Sequence, residues 1–165
     1  MAYTLVDSNT KEYYDKAIDM AINLSKNETK QLSLLSKINV LMARHRINHD
    51  IIKKMNGKEF FIYAVDHGWI GEEGVSNLKI KIKNINKDFA QSHIISENGE
   101  APFGFSFRRE DGKWCIDLTS TFSMTEMILK QEVESLDATE NDCIFSILES
   151  LSGKKVGETI WNPLI

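Results

Sequence analysis

An α+β fold is predicted, in which N-terminal helices pack on a curved antiparallel sheet and further helices follow it. Three features of the sequence predict this. Up to Gly68, apolar residues recur every three to four positions, the helical period. Beyond it, Leu78-Lys79-Ile80-Lys81-Ile82-Lys83 alternates apolar and basic without a break, the period of a half-buried strand with one wet face. Asp111-Gly112 then separates two alternating runs by the two residues that a tight hairpin needs.

The helices come first. Residues 8–24 place Tyr14, Ala17, Ile18, Ala21 and Ile22 on one stripe, with Ser8 or Thr10 as the expected cap. Asn27 interrupts the pattern. Leu32, Leu34, Leu35, Ile38, Leu41 and Met42 predict a second, strongly apolar helix. It fades at Arg44-His45-Arg46, where cations suit the negative end of the helix dipole. Asn48 or Asp50 is expected to open a short helix through Ile51, Ile52 and Met55, with Gly57 closing it. The run from Lys58 to His67 is apolar enough for a strand, but Gly57 and Gly68 bracket a length that suits a helix.

Four strands are expected next. Residues 78–83 form the first, Asn86-Lys87-Asp88 a turn, and residues 89–96 the second, with a reversal at Asn98-Gly99. Phe103, Phe105 and Phe107 alternate with Gly104, Ser106 and Arg108 in the third. Trp114, Ile116 and Leu118 alternate with Cys115, Asp117 and Thr119 in the fourth. A regular hairpin at Asp111-Gly112 puts Phe105, Phe107, Trp114 and Ile116 on one face, so Asp117 points out if that face is the inner one. Helical spacing returns after Thr121. Ser123 or Thr125 is the expected cap of a helix carrying Met127, Ile128 and Val133. Asp137 or Thr139 caps another, with Cys143, Ile144, Ile147, Leu148 and Leu151 on its stripe and Gly153 as its stop. The tail Ile160-Trp161-Asn162-Pro163-Leu164-Ile165 is too apolar to lie free in water and is expected to dock on the body or on a second subunit.

A length of 165 residues favours one domain over 1–165, a helix-and-sheet core at 8–122 with a helical extension and docking tail at 123–165. Cys115 and Cys143 are expected to be free thiols, which fits a reducing, cytoplasmic setting. Residues 1–7 show neither a basic nor an apolar leader region, and no run reaches the roughly 18 apolar residues of a membrane span. Net charge is −4, unevenly spread: residues 1–56 carry 9 Lys/Arg against 6 Asp/Glu, and residues 123–165 carry 3 against 8. The acidic end argues against nucleic acid as a partner and suits a basic partner protein or a solvated helix face.

The order of elements, with the hairpin Arg108-Arg109-Glu110-Asp111-Gly112-Lys113-Trp114, resembles the nuclear transport factor two-like superfamily, also called cystatin-like or SnoaL-like, over about residues 8–122. That resemblance implies a cone of helices on a bent sheet with a pocket inside. It also implies a sheet face that in relatives often joins two subunits, hence a homodimer. The superfamily holds dehydratases and isomerases as well as binding and adaptor proteins, so fold alone leaves function open. The helices from 123 onward are an addition to the usual pattern.

The residues offer a pocket lining and no defined reaction. Tyr63, Trp69, His93, Phe103, Phe105, Phe107 and Trp114 would line it, and the same aromatics serve equally as core. Asp66 and His67 are acid–base candidates or the polar end of a helix, and His93 either enters the pocket or faces water. No isomerase-type carboxylate pattern is present. His45 and His49 lack the company of a zinc site, and Gly68, Gly71 and Gly74 lack the lysine of a phosphate loop, so neither metal nor cofactor is expected. Lys79, Lys81, Lys83, Arg108 and Lys113 are expected on the polar sheet face. Three readings follow: a module binding a small apolar molecule, a dehydratase- or isomerase-like enzyme, or an immunity or adaptor module that uses the acidic C-terminal helices.

Overall fold

The change of period near Gly68 divides helices from strands in the computed structural model, which describes residues 2–70, 79–96, 99–136 and 139–165. The fold is α+β: seven α-helices among the described residues and a five-stranded, open antiparallel sheet, with helices both before and after the sheet in the chain. Two compact units are formed, Met1–Tyr14 with Gly57–Ser123 and Asp15–Asn56 with Met124–Ile165. No described helix is long and apolar enough to cross a membrane.

The first unit contains the sheet. Its strands are β1 (Lys79–Ile85), β2 (Phe89–Ser96), β3 (Gly99–Glu100), β4 (Ser106–Glu110) and β5 (Lys113–Asp117), in the order β1-β2-β4-β5, with β3 paired to the end of β2. Asp111 and Gly112 both have positive φ, 49° and 78°, which the two-residue β4–β5 turn requires and which Gly adopts without steric cost. The register sets Phe107 against Ile116 and Arg109 against Trp114. The third strand begins later than predicted, because residues 101–105 follow β2 by separate bonds: Ile94 N–H donates to Phe103 O (3.0 Å) and Ser92 N–H to Phe105 O (2.8 Å). Gly104 permits this approach, since a Cβ there would sit 2.3 Å from the Ser92 carbonyl oxygen.

One expectation about the sheet is corrected, and the question of which face is covered is decided. The strand β1 is exposed along its whole length, Ile80 and Ile82 included, rather than half-buried. Alternation reports that one face is apolar, whereas covering it depends on another layer. At the other side, Asp117 and Cys115 are buried while Trp114 is partly exposed, so the covered side of β5 is the opposite one. The reason lies in the first residues. Leu5 to Asp7 run beside β5, with a parallel bridge from Val6 to Ile116, and so protect that edge of the sheet. Helix α1 (Ser8–Asn23) starts there, and its cap is Asp7, not Ser8 or Thr10: Thr10 N–H donates to Asp7 Oδ1 (2.9 Å).

The second unit is helical. Its elements are α2 (Lys26–Lys30), α3 (Leu34–Arg46), α4 (His49–Ile52), α6 (Phe122–Ser135) and α7 (Glu140–Ser152), while α5 (Gly57–Asp66) belongs to the first unit. Gly57 opens α5 rather than closing α4, and Asn48 caps α4. A 3-10 turn, Leu118–Thr121, capped by Asp117, runs straight into α6, so Ser123 and Thr125 lie inside that helix. Thr139 caps α7 in a reciprocal box with Asp142, and Gly153 ends it at φ 67°; Asp137, the alternative cap, lies outside the described residues, as do Leu78, Asn98, Gly71 and Gly74. Helix α7 packs on α3, burying Ile38, Leu41, Cys143, Ile144 and Leu148. Each such aliphatic side chain contributes about 1.5–3 kcal/mol of burial. Both cysteines are buried and free.

Candidate functional site

The predicted pocket residues fall into three separate places. Tyr63, His67 and Trp69 do meet: the Tyr63 and His67 rings stack at 3.7 Å between centroids, and Trp69 meets Tyr63 edge-on at 5.6 Å. The Tyr63–His67 stack follows from their i, i+4 spacing at the end of α5, and Trp69 reaches Tyr63 from beyond the helix end. His67 Nδ1 bonds the Tyr63 carbonyl at 2.9 Å, and both Asp66 and His67 are exposed. His93 is elsewhere. It projects from the face of β2 that Lys81 shares, whereas Phe107 and Trp114 project from the opposite face, because Ala90 pairs with Phe107 and successive residues alternate. Phe103, Phe105 and Phe107 are half-buried beside β2 and β5.

His93 belongs to a charged cluster. Its Nδ1 lies 2.9 Å from Glu100, whose carboxylate also pairs with Lys83 and, at 3.5 Å, with Lys81. The Lys83 bond, aided by His93 and by the charges of Lys83 and Lys81, lowers the Glu100 pKa from 4.5 to about 2. A carboxyl group whose folded pKa lies below its unfolded value adds stability above the unfolded value and loses it as pH falls. Wild type is therefore expected to lose more stability than Glu100→Gln between pH 4.5 and 2. Urea denaturation at neutral pH and at pH 3 checks this, and equal losses in the two proteins would contradict it.

A second polar cluster surrounds the start of α1. The Asp7 carboxylate is fully buried, with Oδ2 3.4 Å from Arg108 Nε, and Asp117 Oδ2 lies 3.9 Å from the same nitrogen. Asp117 also accepts from Asn9 Nδ2 (3.1 Å) and Thr119 N–H (2.9 Å), and Glu110 accepts from Ser8 N–H (2.8 Å). Asp7 Oδ1 and Asp117 cap a helix and a turn, while the buried Asp7 Oδ2 has no hydrogen-bond partner and only the Arg108 charge beside it.

The second unit offers two openings that the sequence did not announce. One is a polar cavity of about 320 Å³ bounded by α3, α4 and residues 157–164, with Arg44, His45, His49, Thr159 and Asn162 in its wall. Arg44 is 3 % exposed. Its guanidinium donates to five backbone carbonyls: Ala21 (2.7 Å), Leu24 (2.6 Å), Met20 (3.4 Å), Trp161 (3.0 Å) and Ile160 (3.3 Å). It thereby satisfies the bare carbonyls at the end of α1 and ties residues 160–161 to them. His45 Nε2 lies 2.7 Å from Ser152 Oγ, and burial pushes the His45 pKa down. The spacing signal for Arg44 was present, since it lies three residues after Leu41 and four after Val40, on the buried stripe.

The other opening is an apolar groove of about 360 Å³ between α6 and α7, lined by buried Cys143, half-buried Ile147 and exposed Glu132, Leu136, Asp142 and Ser146. Helix α6 has no buried residue, although it carries Met124, Met127, Ile128, Leu129 and Val133. It is anchored by Glu126, whose carboxylate accepts from Leu34 N–H (3.0 Å) and Leu35 N–H (2.7 Å) at the start of α3. That bonding holds Glu126 below the usual carboxylate range against the opposing effect of burial. Among the described residues, no cluster of three or more His, Cys, Asp and Glu is arranged to hold a metal ion. Comparison with known proteins finds no matching family model, no matching curated protein and no matching solved structure.

Proposed function

We propose that the protein is a partner-binding module that receives a basic, amphipathic helix in the groove between α6 and α7. The observation that carries this reading is the uncovered apolar surface beside the groove: no residue of α6 is buried, and Ile128 on it and Leu136 just past its end are 50 % and 58 % exposed. A helix of this length gains its stability by burying an apolar stripe, and one left uncovered marks a binding surface. Glu132 and Leu136 line the groove on one side and Asp142, Cys143, Ser146 and Ile147 on the other. Ile128, one turn before Glu132, and Leu151, one turn after Ile147, are exposed as well. From Ile128 to Leu136 is about 12 Å along a helix, room for the i, i+4, i+7 anchors of a docked helix.

Charge selects the partner. Glu132 and Asp142 stand at the rim, in a stretch with 8 acidic against 3 basic residues. Lys130 pairs with Glu126, Lys155 with Glu149, Lys37 with Glu140 and Lys26 with Glu158, so the charge of the groove itself is that of Glu132 and Asp142. A lysine- or arginine-bearing helix is attracted, and an acidic one is repelled. In this reading the helices after residue 123 do the work, appended in sequence to a portion of the nuclear transport factor two-like kind. The test is a titration of isotope-labelled protein with two synthetic helices that share one apolar face, one with a lysine polar face and one with a glutamate face. The lysine helix is expected to bind saturably, shift the resonances of Leu136, Cys143 and Ile147, and weaken with salt. Ile147→Glu should cost at least about tenfold in affinity. Equal binding of both helices, binding of neither, or shifts confined to other residues would overturn the proposal.

A further inference from the structure

We propose that the polar cavity beside Arg44 is a binding site for a small oxyanion, the carboxylate or phosphate group of a metabolite-sized molecule. The first reason is a charge that no carboxylate meets. A buried guanidinium is ordinarily met by a carboxylate. Arg44 is buried, yet among the described residues no carboxylate stands within ion-pair distance, and all five of its bonds go to backbone carbonyls. Carbonyl dipoles satisfy the N–H groups, and the negative end of the α1 dipole offsets roughly half of the charge, so a net positive potential remains in the cavity wall, where the low dielectric screens it poorly.

The second reason is the wall itself. It contains no Asp or Glu, while the His49 imidazole, the Thr159 hydroxyl and the Asn162 amide can donate hydrogen bonds; His45, also in the wall, has its Nε2 on Ser152 Oγ. His49 and Asn162 are exposed, and so accessible to an entering ligand. The third is size: about 320 Å³ lies at the lower end of the range for small-molecule sites. A metal cation fits poorly, because the guanidinium repels it and two imidazoles fall short of a ligand set. An apolar ligand would leave the histidine, threonine and asparagine groups without partners.

The experiment uses the full chain, with inorganic phosphate and malonate as separate probes and sodium chloride of equal ionic strength as the control. Thermal melting and the imidazole and side-chain amide resonances are read together. At least one probe is expected to raise the melting temperature saturably beyond the chloride control and to shift the signals of His45, His49 and Asn162. A response to phosphate alone assigns a phosphate-bearing ligand, to malonate alone a carboxylate, and to both a site that reads charge. The double variant His49→Gln/Asn162→Leu changes exposed residues only. It is expected to remain folded and to weaken binding at least about fivefold. The proposal is overturned if neither probe exceeds chloride, if the shifts lie outside these residues, or if the double variant binds as wild type does.

Discussion

Replacing Arg44 by Ala is expected to lower the stability of the protein by about 3–5 kcal/mol, measured as the free energy of unfolding in urea. The guanidinium satisfies carbonyls from two distant stretches, Met20, Ala21 and Leu24 at the end of α1 and Ile160 and Trp161 near the end of the chain. Truncation strands several of them where water enters poorly and also removes the stem that packs against them. Arg44→Lys should recover only part of the loss. An ammonium group has three donors on a single nitrogen and cannot span acceptors that the five-donor planar guanidinium reaches in several directions. A loss under about 1 kcal/mol for Arg44→Ala would show that the carbonyls find other partners.

The second large effect is expected at Trp161. Its side chain is 1 % exposed, lies 6.2 Å from the Phe145 ring between centroids, and has Lys30 Nζ 5.9 Å above its own ring. Trp161→Ala is expected to cost about 3–5 kcal/mol, through lost burial and the cavity left behind. The same tail is held by Leu164 N–H donating to Ile22 O (2.9 Å). The two substitutions share a structural unit, so their effects should not add. Once Trp161 no longer holds the tail, the Ile160 and Trp161 carbonyls reach water, and Arg44→Ala strands fewer groups. A double-mutant cycle is therefore expected to show the pair costing at least about 1 kcal/mol less than the sum. Strict additivity would mean that tail and guanidinium act independently.

Several local features were legible because they depend on neighbours in sequence. The hairpin at Asp111-Gly112 follows from backbone conformations that few residues adopt, and both positive φ angles are found there. The stop of α7 at Gly153 has the same origin. The choice of helix for α5 over strand rested on length and bracketing glycines, and α5 runs from Gly57 to Asp66. Capping was less legible. Asp7, Ser8 and Thr10 are all competent caps by type, and the bridge from Val6 to Ile116 fixes where the chain enters the helix.

The candidate sites were legible only in part. The Tyr63–His67 stack follows from local spacing, while the separation of His93 from Phe107 follows from strand register, set by pairing between distant segments. By sequence Arg44 is a cation suited to the end of its own helix. It does serve a helix end, but that of α1, over twenty residues earlier in the chain. The acidic excess after residue 123 pointed toward a basic partner, though not toward a groove.

By itself the sequence determined the class of the fold and the conformation of each short stretch, since period, caps and turn residues act over a few positions. Only the tertiary structure decided which apolar faces are covered: β1 and α6 remain open, whereas β5 buries Cys115 and Asp117. Burial is a property of what packs opposite a residue, and an alternating or helical pattern is the same whether or not a second layer arrives.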